Sequence, residues 1–390
     1  MKNTIRILSI VLAMAMLMTG CKIMLPGTPD VAATYEGGQI TTGEYLTHLF
    51  LYFDDTVQNM QYDYNLYQYL QAGEDPWTSP NIKFPYTQAD GTEVKLDLET
   101  YIRRMAEDSI KRTIVLEKMM KDNGTTIPAE ELELAKKALA DRYPGQNPLL
   151  GYGISDESLS KVFTGVYLNE YLAFIGTYGE LDGKKGPKAV ADADLRKYFE
   201  TNYLSYKIIN VSLTKSEKQS DGTSKTVPMT EAEKNAELKK LEGYLAICNE
   251  KGFEAAMDAY KKDTATDKTA KIEPSTDEQN RQNADATTMT DEALVKAIRS
   301  VEVGKAKIVE YGGTEAKDGK EATPNTTAAL ILRMDINKPD TLYKDSQESI
   351  LYSLKYEEFE KAVKDAMAKV VVTFNDDVLA QCGPKDFIEE

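Results

Sequence analysis

The sequence predicts an α+β, mostly helical protein in which a small β-containing domain is inserted into a helical one. Three observations lead there. Segments with apolar residues at helical spacing fill the first half, and Ile102, Met105, Ala106, Ile110 and Ile114 mark one face of such a helix. Two apolar, β-branched runs, residues 206–214 and 328–334, bracket a central region. A long helical pattern over 342–369 then returns.

The amino end reads as an address. Lys2 and Arg6 precede an uncharged apolar core, residues 7–18. That is a secretion signal over 1–20, because a membrane span needs roughly 20 apolar residues. Its end, Met18-Thr19-Gly20-Cys21, resembles the bacterial lipobox, with Met18 in place of the usual Leu. The resemblance implies that Cys21 is the lipid attachment site, and two acyl chains anchor stably where one is marginal. Residues 21–30 form a tether.

The helical domain follows over 31–190. Residues 31–35 read as a strand and Glu36-Gly37-Gly38 as a turn. Thr41 or Thr42 caps a helix of about 43–70, with Glu44 in its first turn. Gly73, Pro76, Pro80, Pro85 and Gly91 make 72–95 irregular, with a hairpin near Ala89-Asp90-Gly91. A helix over 97–122 ends at Asn123-Gly124. Pro128 opens a third helix at its first position, and Ser155 caps a fourth ending near Leu172. Residues 177–191 read as a linker.

The inserted domain spans 191–338. A helix over 192–202 leads into the strand at 206–214; residues 215–230 read as a polar loop. Helices follow at 231–250 and from Gly252-Phe253 onward. Residues 261–290, poor in apolar side chains, read as a mobile loop. A helix over 291–300 and strands at 308–310 and 328–334 complete it. Residues 339–390 supply the returning helix and a strand-like 370–374.

Composition excludes several functions. The formal charge is −16, and loss of Lys2 and Arg6 makes it −18. Such a surface repels nucleic acid. His48 is the only histidine, so His-rich metal sites and Ser-His-Asp triads lack their parts; it reads as a packed or surface helix residue. No phosphate-binding loop or dinucleotide motif is present, and no cofactor or metal is expected. Cys248 and Cys382 either pair or sit as small buried thiols.

The order of segments resembles the PrsA-type foldase lipoproteins and the SurA-type periplasmic chaperones. Five motifs carry it: Gly38-Gln39-Ile40-Thr41-Thr42-Gly43-Glu44-Tyr45; Gly124 through Ile127-Pro128 to Glu130-Glu131; Gly153-Ile154-Ser155-Asp156-Glu157-Ser158-Leu159; Leu195-Arg196-Lys197-Tyr198-Phe199-Glu200-Thr201-Asn202; and the closing helix with Glu348, Leu351, Leu354, Phe359 and Val363. The resemblance implies a SurA/PrsA/trigger-factor-like helical chaperone domain, completed by the carboxy-terminal helix, around a parvulin-like prolyl isomerase domain. It places Asn210 and Leu330 where the family carries its two catalytic histidines, and residues 261–290 hold no glycine where the family has a pair. The Val303-Gly304-Lys305-Ala306-Lys307 element is kept.

Prolyl isomerisation has a barrier of about 18–20 kcal/mol, and a domain without either histidine is expected to lower it little. The first expectation is therefore a membrane-anchored, non-catalytic chaperone for unfolded exported polypeptides on the outer face of a bacterial membrane. Tyr45, Tyr62, Tyr64, Tyr67 and Tyr69 are its client-binding candidates, whereas Phe50 and Phe53 read as buried stripe. An active isomerase is the alternative. A solute-binding lipoprotein is a further one, disfavoured by too few βα units. The resemblance leaves a homodimer open.

Overall fold

The structure is a computed structural model describing residues 29–390, apart from 61, 89, 146, 221, 268, 270, 315–321, 339–340, 389–390 and the side chains of Tyr64 and Asn65. The expected signal, Cys21 and most of the tether lie outside the described residues. The fold is α+β. The chain divides into two compact units: residues up to Ala189 with Leu354–Glu390, and Val190–Ser353.

In the first unit, β1 (Val31–Tyr35) and β2 (Gly38–Thr41) form a hairpin whose turn holds Gly37 at φ +98°. An L side chain rarely adopts that conformation. Helix α1 (Thr42–Met60) starts with a reciprocal cap: Glu44 N–H donates to Thr41 Oγ1 (3.2 Å) and Thr41 N–H to Glu44 Oε2 (2.8 Å). The expected helix to residue 70 is broken. Asp63 accepts from Leu66 N–H, starting a separate α2 (Tyr64–Gln71). β3 (Phe84–Thr87) and β4 (Glu93–Leu96) form the hairpin expected near Gly91.

Helix α3 (Leu98–Asn123) is capped by Asp97, which accepts from Thr100 N–H at 2.9 Å, and ends on Gly124 in the left-handed conformation. Pro128 is the cap residue of α4 (Ala129–Arg142), one place before the expected position. Ser155 caps α5 (Asp156–Tyr178). This helix runs past Leu172 because Ala173, Phe174, Ile175 and Tyr178 are all buried. The expected linker is thus partly helix. Its remainder holds β5 (Glu180–Leu181) and β6 (Lys184–Lys185), and Lys184 Nζ donates to Asn123 O at 2.8 Å.

The core of this unit joins Leu46, Leu49 and Phe50 of α1 to Ile102, Ala106 and Ile110 of α3. Full burial of such a side chain stabilises by about 1.5–3 kcal/mol, so this seam carries the unit. The carboxy-terminal segment closes it: β13 (Val372–Phe374) pairs antiparallel with β1, Ala33 opposite Phe374. Helix α12 (Asp376–Gln381) ends on Arg103, whose Nη1 donates to Leu379 O and Cys382 O.

The second unit holds a four-stranded antiparallel sheet. Its strands are β7 (Tyr203–Ser212), β10 (Gln282–Asp285), β11 (Ala306–Tyr311) and β12 (Thr327–Met334), in the order β10-β7-β12-β11. Helix α6 (Asp192–Asn202) leads into β7. Helices α7 (Glu231–Lys251) and α8 (Phe253–Thr264) pack Leu241, Tyr244 and Phe253 on the face carrying Ile209 and Leu330. Helix α10 (Glu292–Arg299) packs Ala297 and Ile298 on the face carrying Tyr206 and Ile331.

Three expectations change here. Residues 215–230 are largely a hairpin, β8 (Thr214–Lys218) with β9 (Ser224–Pro228). The segment 261–290 contains the end of α8, the short α9 (Asp277–Asn280) and the edge strand β10. An edge strand needs few apolar residues, so its composition read as loop. Finally, helix α11 (Thr341–Met367) does not belong wholly to the helical domain: Tyr343 and Ile350 pack on Phe199 of the second unit, while Phe359 is buried against Phe174 of the first. The boundary falls after Ser353 rather than at 339.

Candidate functional site

Antiparallel pairing decides what Asn210 faces. Its partner across β7 and β12 is Ala329, whereas Leu330 pairs with Ile209. Successive side chains alternate between the faces of a sheet. Leu330 is therefore fully buried under α7 and α8, and Asn210 lies exposed on the other face, where its Oδ1 accepts from Tyr311 Oη at 3.2 Å. The two positions assigned to the catalytic pair do not meet. On the α7–α8 side, Val211, Tyr244, Tyr260 and Asp263 line a cleft of about 430 Å³. Tyr244 Oη donates to Asp263 there at 2.9 Å, and burial, with that carboxylate beside it, raises the phenol's pKa.

The tyrosine candidates separate. Tyr45 is fully buried, edge-on to Phe374, with Arg103 Nη1 3.4 Å from its hydroxyl. Burial pushes its pKa up to about 12. The start of α1 is covered on nearly every side, so no face is left for a client. Tyr69 packs half-buried against the core. Tyr62 (79% exposed) and Tyr67 are open to solvent; the side chain of Tyr64 lies outside the described residues. Phe50 and Phe53 are buried, as expected.

A further apolar surface is exposed in the helical unit. On α5, Val166 (50% exposed), Tyr167 (56%) and Tyr171 (38%) lie side by side, and Phe163 stacks on Tyr167 with centroids 6.0 Å apart. Leu168 and Leu172, on the other side of the helix, are buried. The signal was there: apart from Thr164, Asn169 and Glu170, 162–175 carries apolar residues or glycine, more than one buried stripe requires. Ordered aromatic surface of this kind marks an interaction site.

Beside it stands a charged cluster. Glu44 is buried and ion-paired to Lys161. Protein packed around the Glu117 carboxyl raises its pKa, against the pull of Lys161. His48 is 2% exposed with Nδ1 3.0 Å from Ser109 Oγ, and burial lowers its pKa to about 4. Cys248 and Cys382 are both free and buried, and burial pushes both thiols up. Among the described residues no cluster of His, Cys, Asp and Glu is arranged to hold a metal, and no helix is long and apolar enough to cross a membrane.

No family model matches the chain, and no curated protein matches its sequence. The solved structures similar to this chain include two PrsA proteins. Foldase protein PrsA from Streptococcus pneumoniae is 13% identical with a TM-score of 0.31, over 74% of this chain and 90% of that one. PrsA from Bacillus subtilis is 18% identical with a TM-score of 0.24, over 73% and 91%. At such identity and superposition no residue role is carried over from either.

Proposed function

We propose that the chain is a lipid-anchored, extracytoplasmic chaperone that holds unfolded segments of exported proteins. One observation carries this reading: α5 keeps Phe163, Val166, Tyr167 and Tyr171 together on one side while Leu168 and Leu172 are buried on the other. Stacked, adaptable aromatic surface suits sequence-tolerant contacts. The lipobox-like Met18-Thr19-Gly20-Cys21 supports the location. The test is a refolding assay with the full chain. Aggregation of an unfolded exported protein is expected to fall; no suppression, together with no crosslinks to unfolded chains, overturns the reading. For the anchor, Cys21→Ser is expected to abolish fatty-acid labelling and release the chain from the membrane fraction. A wild-type chain that carries no lipid label sinks that part.

A second reading is prolyl isomerisation. It is favoured by the helix-flanked antiparallel sheet with strand order β10-β7-β12-β11 in the segment that resembles a parvulin domain. We infer that the module is inactive, because Ala329 stands opposite Asn210 and neither offers an acid or base. Cis/trans exchange of a proline peptide is expected at its uncatalysed rate. A catalysed rate makes the chain an isomerase.

A further inference from the structure

We propose that a groove of the helical unit, formed by α3, the start of α4 and α5, binds an extended polypeptide backbone carrying a basic side chain. This rests on the chaperone reading and names the chemistry of the client. The groove has a volume of about 370 Å³, and Asn169, Thr164 and Gly165 lie in its lining.

Asn169 is 3% exposed and Thr164 8%. Among the described residues neither side chain has a hydrogen-bond partner, and both line the groove. Their polar atoms are not among the sealed, unsatisfied ones, so they meet solvent in the groove and are free to exchange it for a ligand's polar groups. An Asn amide presents one donor edge and one acceptor side by side. A peptide group offers the complement in every residue of an extended chain, whatever its sequence. Gly165 keeps the approach clear: a Cβ there would stand 3.3 Å from Asn169 Nδ2.

The walls add selectivity. Ile127 and Leu132, both half-buried, give one side apolar lining. Glu117 and Glu157 bring carboxylates, and among the described residues neither is in an ion pair. The lysine present, Lys161, is already paired to Glu44. The groove is therefore left net negative, and a Lys or Arg side chain complements it.

The experiment uses the full chain and a labelled peptide alternating leucine and lysine, read by fluorescence anisotropy. The wild type is expected to bind it about tenfold more tightly than the same peptide with glutamate for lysine, and about tenfold more tightly than one N-methylated at its central residues. Asn169→Leu is expected to bind methylated and unmethylated peptides alike. Gly165→Ala, whose methyl crowds the Asn169 amide, is expected to weaken binding with the circular dichroism spectrum unchanged. Equal binding by wild type, Asn169→Leu and Gly165→Ala overturns the groove. So does a methylation effect that persists in Asn169→Leu. If those variants still suppress aggregation, the chaperone reading stands and only the groove falls. If the wild type neither binds peptide nor suppresses aggregation, both fall.

Discussion

Arg112 of α3 and Glu170 of α5 meet with Nη2 and Oε2 2.8 Å apart, and the same guanidinium is paired with Glu360 of α11. Tyr356 Oη donates to the other oxygen of Glu170 at 2.9 Å. One cation thus joins two amino-terminal helices to the returning one. Arg112→Ala leaves two carboxylates facing each other across the vacated space. A loss of about 2 kcal/mol is expected, below the figure for a fully buried pair because a quarter of the side chain is exposed. Urea unfolding measures it, and an unchanged midpoint contradicts the role.

His48 sets a pH dependence. Its folded pKa of about 4 lies below the ordinary 6.5, so the unfolded chain binds the proton more readily. Above pH 6.5 both states are neutral at this site and it contributes nothing. As pH falls from 6.5 toward 4, stability is lost, by roughly 2 kcal/mol at pH 5 from this group. His48→Gln is expected to lose less stability than wild type between pH 7.5 and 5. Parallel losses in the two proteins refute the assignment.

The outer face of α5 is open to direct test. Tyr167 and Tyr171 are exposed, so replacing both with Ser costs little stability, within about 0.5 kcal/mol per site. Suppression of aggregation is expected to fall several-fold. Full retention moves the client surface elsewhere, with Tyr62 and Tyr67 the next to replace.

Gly124 ends α3 at φ +64°, and a Cβ there would stand 2.6 Å from Lys184 Nζ. Gly124→Ala is expected to destabilise by about 1 kcal/mol, partly offset if Lys184 swings away. A thermal melt reads this as a downward shift.

What the chain reveals by itself follows from the range of each interaction. Asp97, Ser155 and Gly124 announce helix ends because their chemistry acts within a few residues. The hairpin of β8 and β9 and the edge strand β10 were hidden: residues such as Gln282 and Asn283 have no apolar alternation, and the sheet alone makes them strand. Tyr45 looked like open surface because nothing nearby in sequence says that Phe374 and Arg103 will cover it. That Asn210 and Leu330 face opposite sides of the sheet was hidden for a sharper reason: a motif fixes a strand, but only register fixes its face. The unpaired amide of Asn169 had no signature at all, since burial without a partner is a property of three dimensions.

The pairing of Ala33 with Phe374 has a consequence for biogenesis. Ribosomes release β1 first and β13 almost last, so the earliest strand waits through most of translation for its neighbour. Residues 190–353 form a compact unit of their own, and its four-stranded sheet is complete in sequence before β13. Closing so long a loop is slow rather than ruinous in free energy. A chain truncated before Val372 lacks the strand that covers β1, and its half-built helical unit exposes the same kind of apolar surface it is proposed to shelter in others.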